Sequence, residues 1–69
     1  MLLMQPVSSS DLASVGYYNN TLYIQFNSGG LYAYDNVPLS VYQNLMGSGS
    51  HGKYFHACIK NSYSYRRIG

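Results

Sequence analysis

Between Thr21 and Phe26 the residues alternate, with Leu22, Ile24 and Phe26 on one side and Thr21, Tyr23 and Gln25 on the other. A period of two predicts a half-buried strand. Ahead of it "LASVGYY" reads as a strand from Leu12 to Tyr18, and Asn19-Asn20 as a two-residue hairpin turn. Asn tolerates the positive φ that a type I′ turn requires at both positions. Asn27-Ser28-Gly29-Gly30 is the next turn and "LYAYD" the third strand. Beyond Pro38 the period lengthens: Leu39, Tyr42, Leu45 and Met46 recur at helical spacing. Pro38 suits the first turn of that helix, where its missing N–H costs nothing, and Gly47 can end it in the αL conformation. "GSGSHG" then leads to Ser50 as the N-cap of a second helix, with Tyr54, Phe55, Cys58 and Ile59 as its apolar stripe and Lys53, His56 and Lys60 on another side. "YSYRRI" returns to alternation, Tyr63 and Tyr65 on one face and Ser64 and Arg66 on the other. The order β-β-β-α-α-β predicts an α+β domain, a small antiparallel sheet with two short helices packed on one face or end.

Turn lengths propose a register, because residues opposite each other in an antiparallel pair share a face. A two-residue turn at Asn19-Asn20 sets Tyr17 opposite Leu22 and Val15 opposite Ile24. A four-residue turn from Asn27 to Gly30 sets Phe26 opposite Leu31, Ile24 opposite Ala33, Gln25 opposite Tyr32 and Tyr23 opposite Tyr34. One face then collects Val15, Tyr17, Leu22, Ile24, Phe26, Leu31 and Ala33, and the other Tyr23, Tyr32, Tyr34 and Gln25, with Gly16 beside Tyr23. The aliphatic face is the expected core. Three tyrosines on the outer face would make a platform on which single-stranded bases stack, each gaining about 1–3 kcal/mol. The other reading is that curvature or a second subunit covers them as core residues with satisfied hydroxyls, which the small size of the chain favours.

Composition sharpens this picture. At 69 residues the chain is read as one domain, 1–69, with residues 1–6 as a flexible or weakly packed tail. It lies near the lower limit for a self-sufficient core. Nine tyrosines and two phenylalanines supply much of a 46% hydrophobic content, while charged residues are 9%, against about 25% in average soluble domains. Such a surface suits a binding module or a homo-oligomer. The net charge of +2 is unevenly spread: Asp11 and Asp35 lie in the first half, and Lys53, Lys60, Arg66 and Arg67 all follow residue 52. A basic C-terminal third fits an anionic partner, though it is a weak footprint beside that of committed nucleic-acid binders. The single cysteine, Cys58, excludes an internal disulfide and a multi-cysteine zinc site and fits a reducing, cytoplasmic compartment. The start "MLLMQPV" has no basic region and meets Pro6 early, unlike a signal peptide, so the glycosylation sequon at Asn19 is discounted. No apolar run approaches the roughly 20 residues that span a bilayer.

Catalytic motifs are weak. "GSGSHGK", Gly47 to Lys53, matches a dinucleotide fingerprint and most of a P-loop, but a helix precedes it and Tyr54 stands where a P-loop needs Ser or Thr. Backbone N–H groups of this loop, with Ser50, Gly52 and Lys53, could hold one phosphate. The plain interhelix connection, with Gly47 stopping one helix and Ser50 starting the next, carries more weight. On one helix His51 and Cys58 lie about 10 Å apart and His56 points elsewhere, so no metal or cofactor is expected. Cys58 in an apolar stripe reads as an inert core residue. With only two carboxylates and no acid/base arrangement, an enzyme is not expected.

Taken in order, "VSSSDLASVGY", "LYIQFNSGGLYAYDNVPLSVYQNLM" and "SHGKYFHACIKNSY" resemble the KTSC domain family. The family's Y-x-Y motif corresponds to Tyr32 and Tyr34, its V-P to Val37-Pro38, its S-x-G and aromatic pair to Ser50, Gly52 and Tyr54-Phe55, and its I-[KR] step to Ile59-Lys60. His56 stands where an Asn is usual, and Gly47 and Gly49 lie in a segment often richer in alanine. The resemblance covers about Val7 to Tyr65. It implies a domain found alone in bacterial and phage proteins and at the C-terminus of some lysyl-tRNA synthetases, an association that implies RNA binding. The residues thus give a non-enzymatic module for single-stranded nucleic acid or a nucleotide. Tyr23, Tyr32 and Tyr34 would stack bases, Ser50, Gly52 and Lys53 hold phosphate, and Lys53, Lys60, Arg66 and Arg67 contact the backbone. In a phage the same chemistry would sequester a host nucleotide signal. The alternative is a protein-interaction or homo-oligomeric module that mates the same tyrosine surface with a second copy or a host protein.

Overall fold

A computed structural model describes residues 2–69. Five strands form one antiparallel sheet in chain order, β1 (Gln5–Pro6), β2 (Leu12–Tyr18), β3 (Thr21–Phe26), β4 (Leu31–Tyr34) and β5 (Tyr65–Arg67). Between β4 and β5 come α1 (Leu39–Met46) and α2 (His51–Tyr54), the latter running on into a π-helical turn, Phe55–Ile59. The α+β class is as expected, with one strand more. Gln5 and Pro6, expected in a weakly packed tail, pair with Val15 and Ser14. Residues just before them lie over Gly16, where an added Cβ would come 2.6 Å from Met4 Sδ and 3.1 Å from the Leu3 carbonyl oxygen. A glycine in mid-strand is tolerated here because another segment crosses close above it.

The first hairpin forms as its turn residues dictate. Asn19 and Asn20 have φ of 54° and 62°, and Val15 faces Ile24 while Tyr17 faces Leu22. The second hairpin corrects the expected register by one residue. Its partners are Gln25 with Leu31, Ile24 with Tyr32, Tyr23 with Ala33 and Leu22 with Tyr34. The Phe26 N–H donates to the Gly30 carbonyl (2.9 Å), so Gly30 belongs to the ladder, and the reversal is made within Asn27, Ser28 and Gly29, the last at φ 117°. A loop one residue shorter flips every side chain of the following strand. Tyr32 and Tyr34 therefore join Leu22 and Ile24 on the helix-covered face, and Leu31 and Ala33 move to the other. The three-tyrosine outer platform does not exist.

The core lies between that face and the helices. Leu12, Val15, Leu22, Ile24, Val37, Leu45 and Ile59 are wholly buried, and Phe55 nearly so. Burying a side chain of this size contributes about 1.5–3 kcal/mol. Tyr17 stacks on Tyr42 (centroids 5.1 Å apart), and its hydroxyl donates to the Val37 carbonyl at 2.6 Å.

Three expectations about the helices are corrected. Leu39 is 51% exposed, and Val41 packs against the core beside Tyr42 and Met46. Gly47 ends α1 in the right-handed region (φ −87°, ψ −2°), donating its N–H to the Gln43 carbonyl, and a Cβ would stand 3.3 Å from that oxygen. Cys58 is exposed rather than in the core. The Lys60 N–H reaches back five residues to the Phe55 carbonyl (2.9 Å), and this wider turn keeps Phe55 and Ile59 inward while it carries Cys58 outward. Ser50 caps α2 as expected, accepting from the Lys53 N–H at 3.4 Å.

Candidate functional site

On the helix-covered face the corrected register brings rings together. Tyr34 faces Tyr65 across β4 and β5, with centroids 5.5 Å apart, and Tyr32 lies 5.9 Å from Tyr65. Phe55, from the π-helical turn, meets the edge of Tyr34 at 5.5 Å and of Phe26 at 5.4 Å, and Phe26 meets Tyr32 at 5.5 Å. Offset and edge-to-face contacts of this kind suit the ring quadrupoles, each adding about 0.5–1.5 kcal/mol beyond area burial. Gly30 leaves room for the Tyr32 ring: a Cβ there would come 2.6 Å from Cε1. These five rings wall a cavity of about 290 Å³, and its remaining lining is polar, from Asp11, Ser28, His56, Lys60 and Asn61.

Tyr34 is 4% exposed, and burial, followed by the neighbouring phenols Tyr65 and Tyr32, pushes its hydroxyl up to about 12. It stays a neutral phenol at any physiological pH. Tyr65 is 59% exposed and forms the open side of the wall.

Asp11 enters the cavity on a fixed turn. The Ser9 hydroxyl accepts from the N–H groups of Asp11 and Leu12, both at 3.2 Å. The Asn27 N–H donates to the Asp11 carbonyl (2.9 Å), and the Asn27 side-chain amide donates to the Ser9 carbonyl (2.9 Å). His56 Nε2 lies 2.6 Å from Asp11 Oδ2, so the imidazole N–H donates to the carboxylate. His51 is engaged separately, with Nδ1 2.8 Å from the Leu45 carbonyl oxygen, to which it donates.

Ser50, Gly52 and Lys53 lie elsewhere, in a broader groove of about 880 Å³ between the Ser8–Ser10 turn and the start of α2. His56 lines both spaces. Gly52 has a packing role there: a Cβ would sit 3.4 Å from Ser9 Oγ and 3.7 Å from Asp11 Cβ, which lets the serine turn approach the helix.

The sequence-derived set is thus divided. Tyr32, Tyr34 and Lys60 meet at the aromatic cavity. Tyr23 pairs with Gly16 and Ala33 on the other face of the sheet, where Ala33 pairs in turn with Arg66. Arg66 Nη1 donates to Asp35 Oδ1 (2.6 Å) and Oδ2 (2.7 Å). This hydrogen bonding, and then the carboxylate charge, holds the guanidinium above its usual range. Arg67 stands on β5 opposite Tyr32 and donates from Nε to the Gly69 carbonyl (2.9 Å).

Sequence reasoning missed Asp11, Phe26, Phe55, His56 and Tyr65 as site residues. Tyr65 had a signal in its alternation with Ser64. Asp11 had none, because His56, its partner, lies 45 residues away.

The KTSC domain model matches residues 8–63, which include Asp11, Tyr32, Tyr34, Phe55, His56 and Lys60. A lysine–tRNA ligase of Nostoc sp. is 42% identical over 48 residues, covering 70% of this chain and 9% of the ligase. The chain therefore spans less than a tenth of that relative's length. An uncharacterized protein of Stutzerimonas stutzeri is 40% identical over 65 residues, covering 90% of this chain and 92% of that protein. The crystal structure of a KTSC domain protein from Yersinia pestis superposes with a TM-score of 0.97 at 42% identity, covering 100% of both chains. Among the described residues no helix is long and apolar enough to cross a membrane. The chain belongs to the KTSC domain family.

Proposed function

We propose that this chain is a non-enzymatic binding module that takes one base of a single-stranded nucleic acid, or of a nucleotide, into the aromatic cavity. The observation that carries the reading is the convergence of Tyr32, Tyr34, Tyr65, Phe26 and Phe55 around an open space with Lys60 on its wall. At about 290 Å³ the space sits at the low end of small-molecule sites, which span about 300–1,000 Å³, and suits one ring system rather than a run of bases. Stacking supplies affinity, and Lys60 is available to a phosphate. Asp11 and Asp35 are taken by His56 and Arg66, so among the described residues Lys60 has no ion pair. Kinship to a segment of a lysine–tRNA ligase, an enzyme named for tRNA, favours RNA. We place the module in the cytoplasm, where the exposed thiol of Cys58 stays reduced, and recovery from an oxidising compartment would overturn that placement.

Fluorescence anisotropy of labelled single-stranded RNA and DNA at about 50 and 200 mM salt tests the reading. Two phosphate contacts on a single strand would weaken binding about sevenfold between those salts. Absence of binding at the lower salt contradicts it. A second reading, a protein-interaction or homo-oligomeric module, is favoured by Tyr65 and Ile68, which stand exposed on and beside the free edge strand β5. A concentration-independent monomer mass in light scattering would remove its homo-oligomeric form.

A further inference from the structure

We infer that the aromatic cavity selects a guanine-type base, one that presents two adjacent N–H donors on its Watson–Crick edge, and that Asp11 reads it. The inference rests on the cavity taking a base, as proposed above, and adds which base and by which residue.

The chain has two carboxylates, and only Asp11 lies on the cavity wall, since Asp35 is held by Arg66. Its position is fixed at three points: the backbone N–H on Ser9, the backbone carbonyl on Asn27, and Oδ2 on His56. An ionised carboxylate has about four lone-pair sites, and His56 occupies one. Oδ1 and the second lone pair of Oδ2 remain as acceptors beside five aromatic rings. A base stacked among those rings is therefore asked for N–H donors at its edge.

Guanine offers N1–H and the exocyclic amine side by side, matching the two carboxylate oxygens. Adenine and cytosine set a ring-nitrogen acceptor beside the amine, and uracil flanks its one N–H with two carbonyls. Each of those acceptors would face a carboxylate lone pair and be repelled by it, with its own hydrogen bond unmade on that edge. A caged organic cation fits less well, because Lys60 and His56 share the wall with Asp11.

The test is an NMR titration of the ¹⁵N-labelled protein with guanosine, inosine and adenosine 5′-monophosphates. Guanosine monophosphate is expected to bind about 5- to 150-fold tighter than adenosine monophosphate, the range for one bidentate base contact. Inosine monophosphate, which keeps N1–H and lacks the amine, falls between. Shifts centre on Tyr32, Tyr34 and Tyr65. Asp11→Asn replaces one acceptor oxygen with a donor and erases the preference. His56→Ala, which removes the donor on Oδ2 and leaves the carboxylate itself intact, reduces the preference, and an undiminished preference in that variant overturns the Asp11 reading should Asp11→Asn fail to fold. Equal affinities with shifts at the cavity overturn the guanine inference and leave the binding function standing. A preference that survives in a folded Asp11→Asn protein overturns the role of Asp11. No shift at the cavity with any of the three overturns both readings.

Discussion

Both faces of the sheet carry tyrosine and arginine, yet the two faces differ in what those residues can do. On the helix-covered face Tyr32 and Tyr34 meet Tyr65 and Phe55 at centroid distances below 6 Å and enclose a space beside Lys60. On the other face Tyr23 lies beside Gly16 and Ala33, with residues 2–4 laid over Gly16, and Arg66 is tied to Asp35. Aromatic content is therefore no measure of a binding surface. What distinguishes the cavity face is a second layer, the π-helical turn, which opposes the rings and brings Lys60, a cation with no ion pair among the described residues.

The largest effect is expected at Phe55, which belongs to core and cavity together. Phe55→Ala should cost about 3–5 kcal/mol in denaturant unfolding, enough to unfold much of a domain this small. A loss below about 1 kcal/mol would mean that the cavity wall is not structural.

Raised pH separates the faces next. The Tyr34 hydroxyl is raised to about 12 from an ordinary value of 10.0, so the folded state holds its proton more tightly than the unfolded state. That contribution is complete below pH 10 and is lost as pH rises through 12, amounting to at most about 3 kcal/mol. Melting temperature should fall across pH 10–12 in the wild type and fall less in Tyr34→Phe. An identical slope in the two proteins would contradict the buried phenol.

Tyr65→Ala should weaken single-stranded RNA binding by about 1–3 kcal/mol, because its half-exposed ring is the open wall on which a base stacks. Its melting temperature should fall by several degrees as the ring contacts to Tyr34 and Tyr32 are lost, so the affinity is read at a temperature where the variant is folded. Tyr23→Ala, on the other face, should leave affinity unaltered, and equal losses in the two variants would break the contrast between the faces. The smallest effects belong to the surface groups: Asp35→Asn, which loses the pair with Arg66, should lower the melting temperature by a few degrees at most and leave affinity unchanged, and Cys58→Ser should alter neither.

How much of this the sequence disclosed depends on the range of the interaction. The Asn19-Asn20 turn, the alternation of Leu22, Ile24 and Phe26, and the Ser50 cap are local, and each was readable from neighbouring residues. The second turn was not, because Gly30 suits both a loop and a strand. The shorter loop is closed by the Phe26 N–H on the Gly30 carbonyl and the Gly29 N–H on the Phe26 carbonyl, bonds that the residue types alone do not specify. One residue of loop length moved Tyr32 and Tyr34 from the outer face to the cavity. The π-helical turn left no mark in the spacing of Phe55, Cys58 and Ile59, since an ordinary helix would place all three in one stripe. Of the site, Tyr32, Tyr34 and Lys60 were legible, and the Asp11–His56 contact required the fold.

The most direct test of the binding cavity is a chemical-shift map of the labelled protein with a short single-stranded RNA. Perturbations clustered on Tyr32, Tyr34, Phe55, Lys60 and Tyr65 are expected, with Tyr23 and Ala33 unmoved. Perturbations confined to Tyr23 and Arg66, or none at saturating RNA, would contradict it.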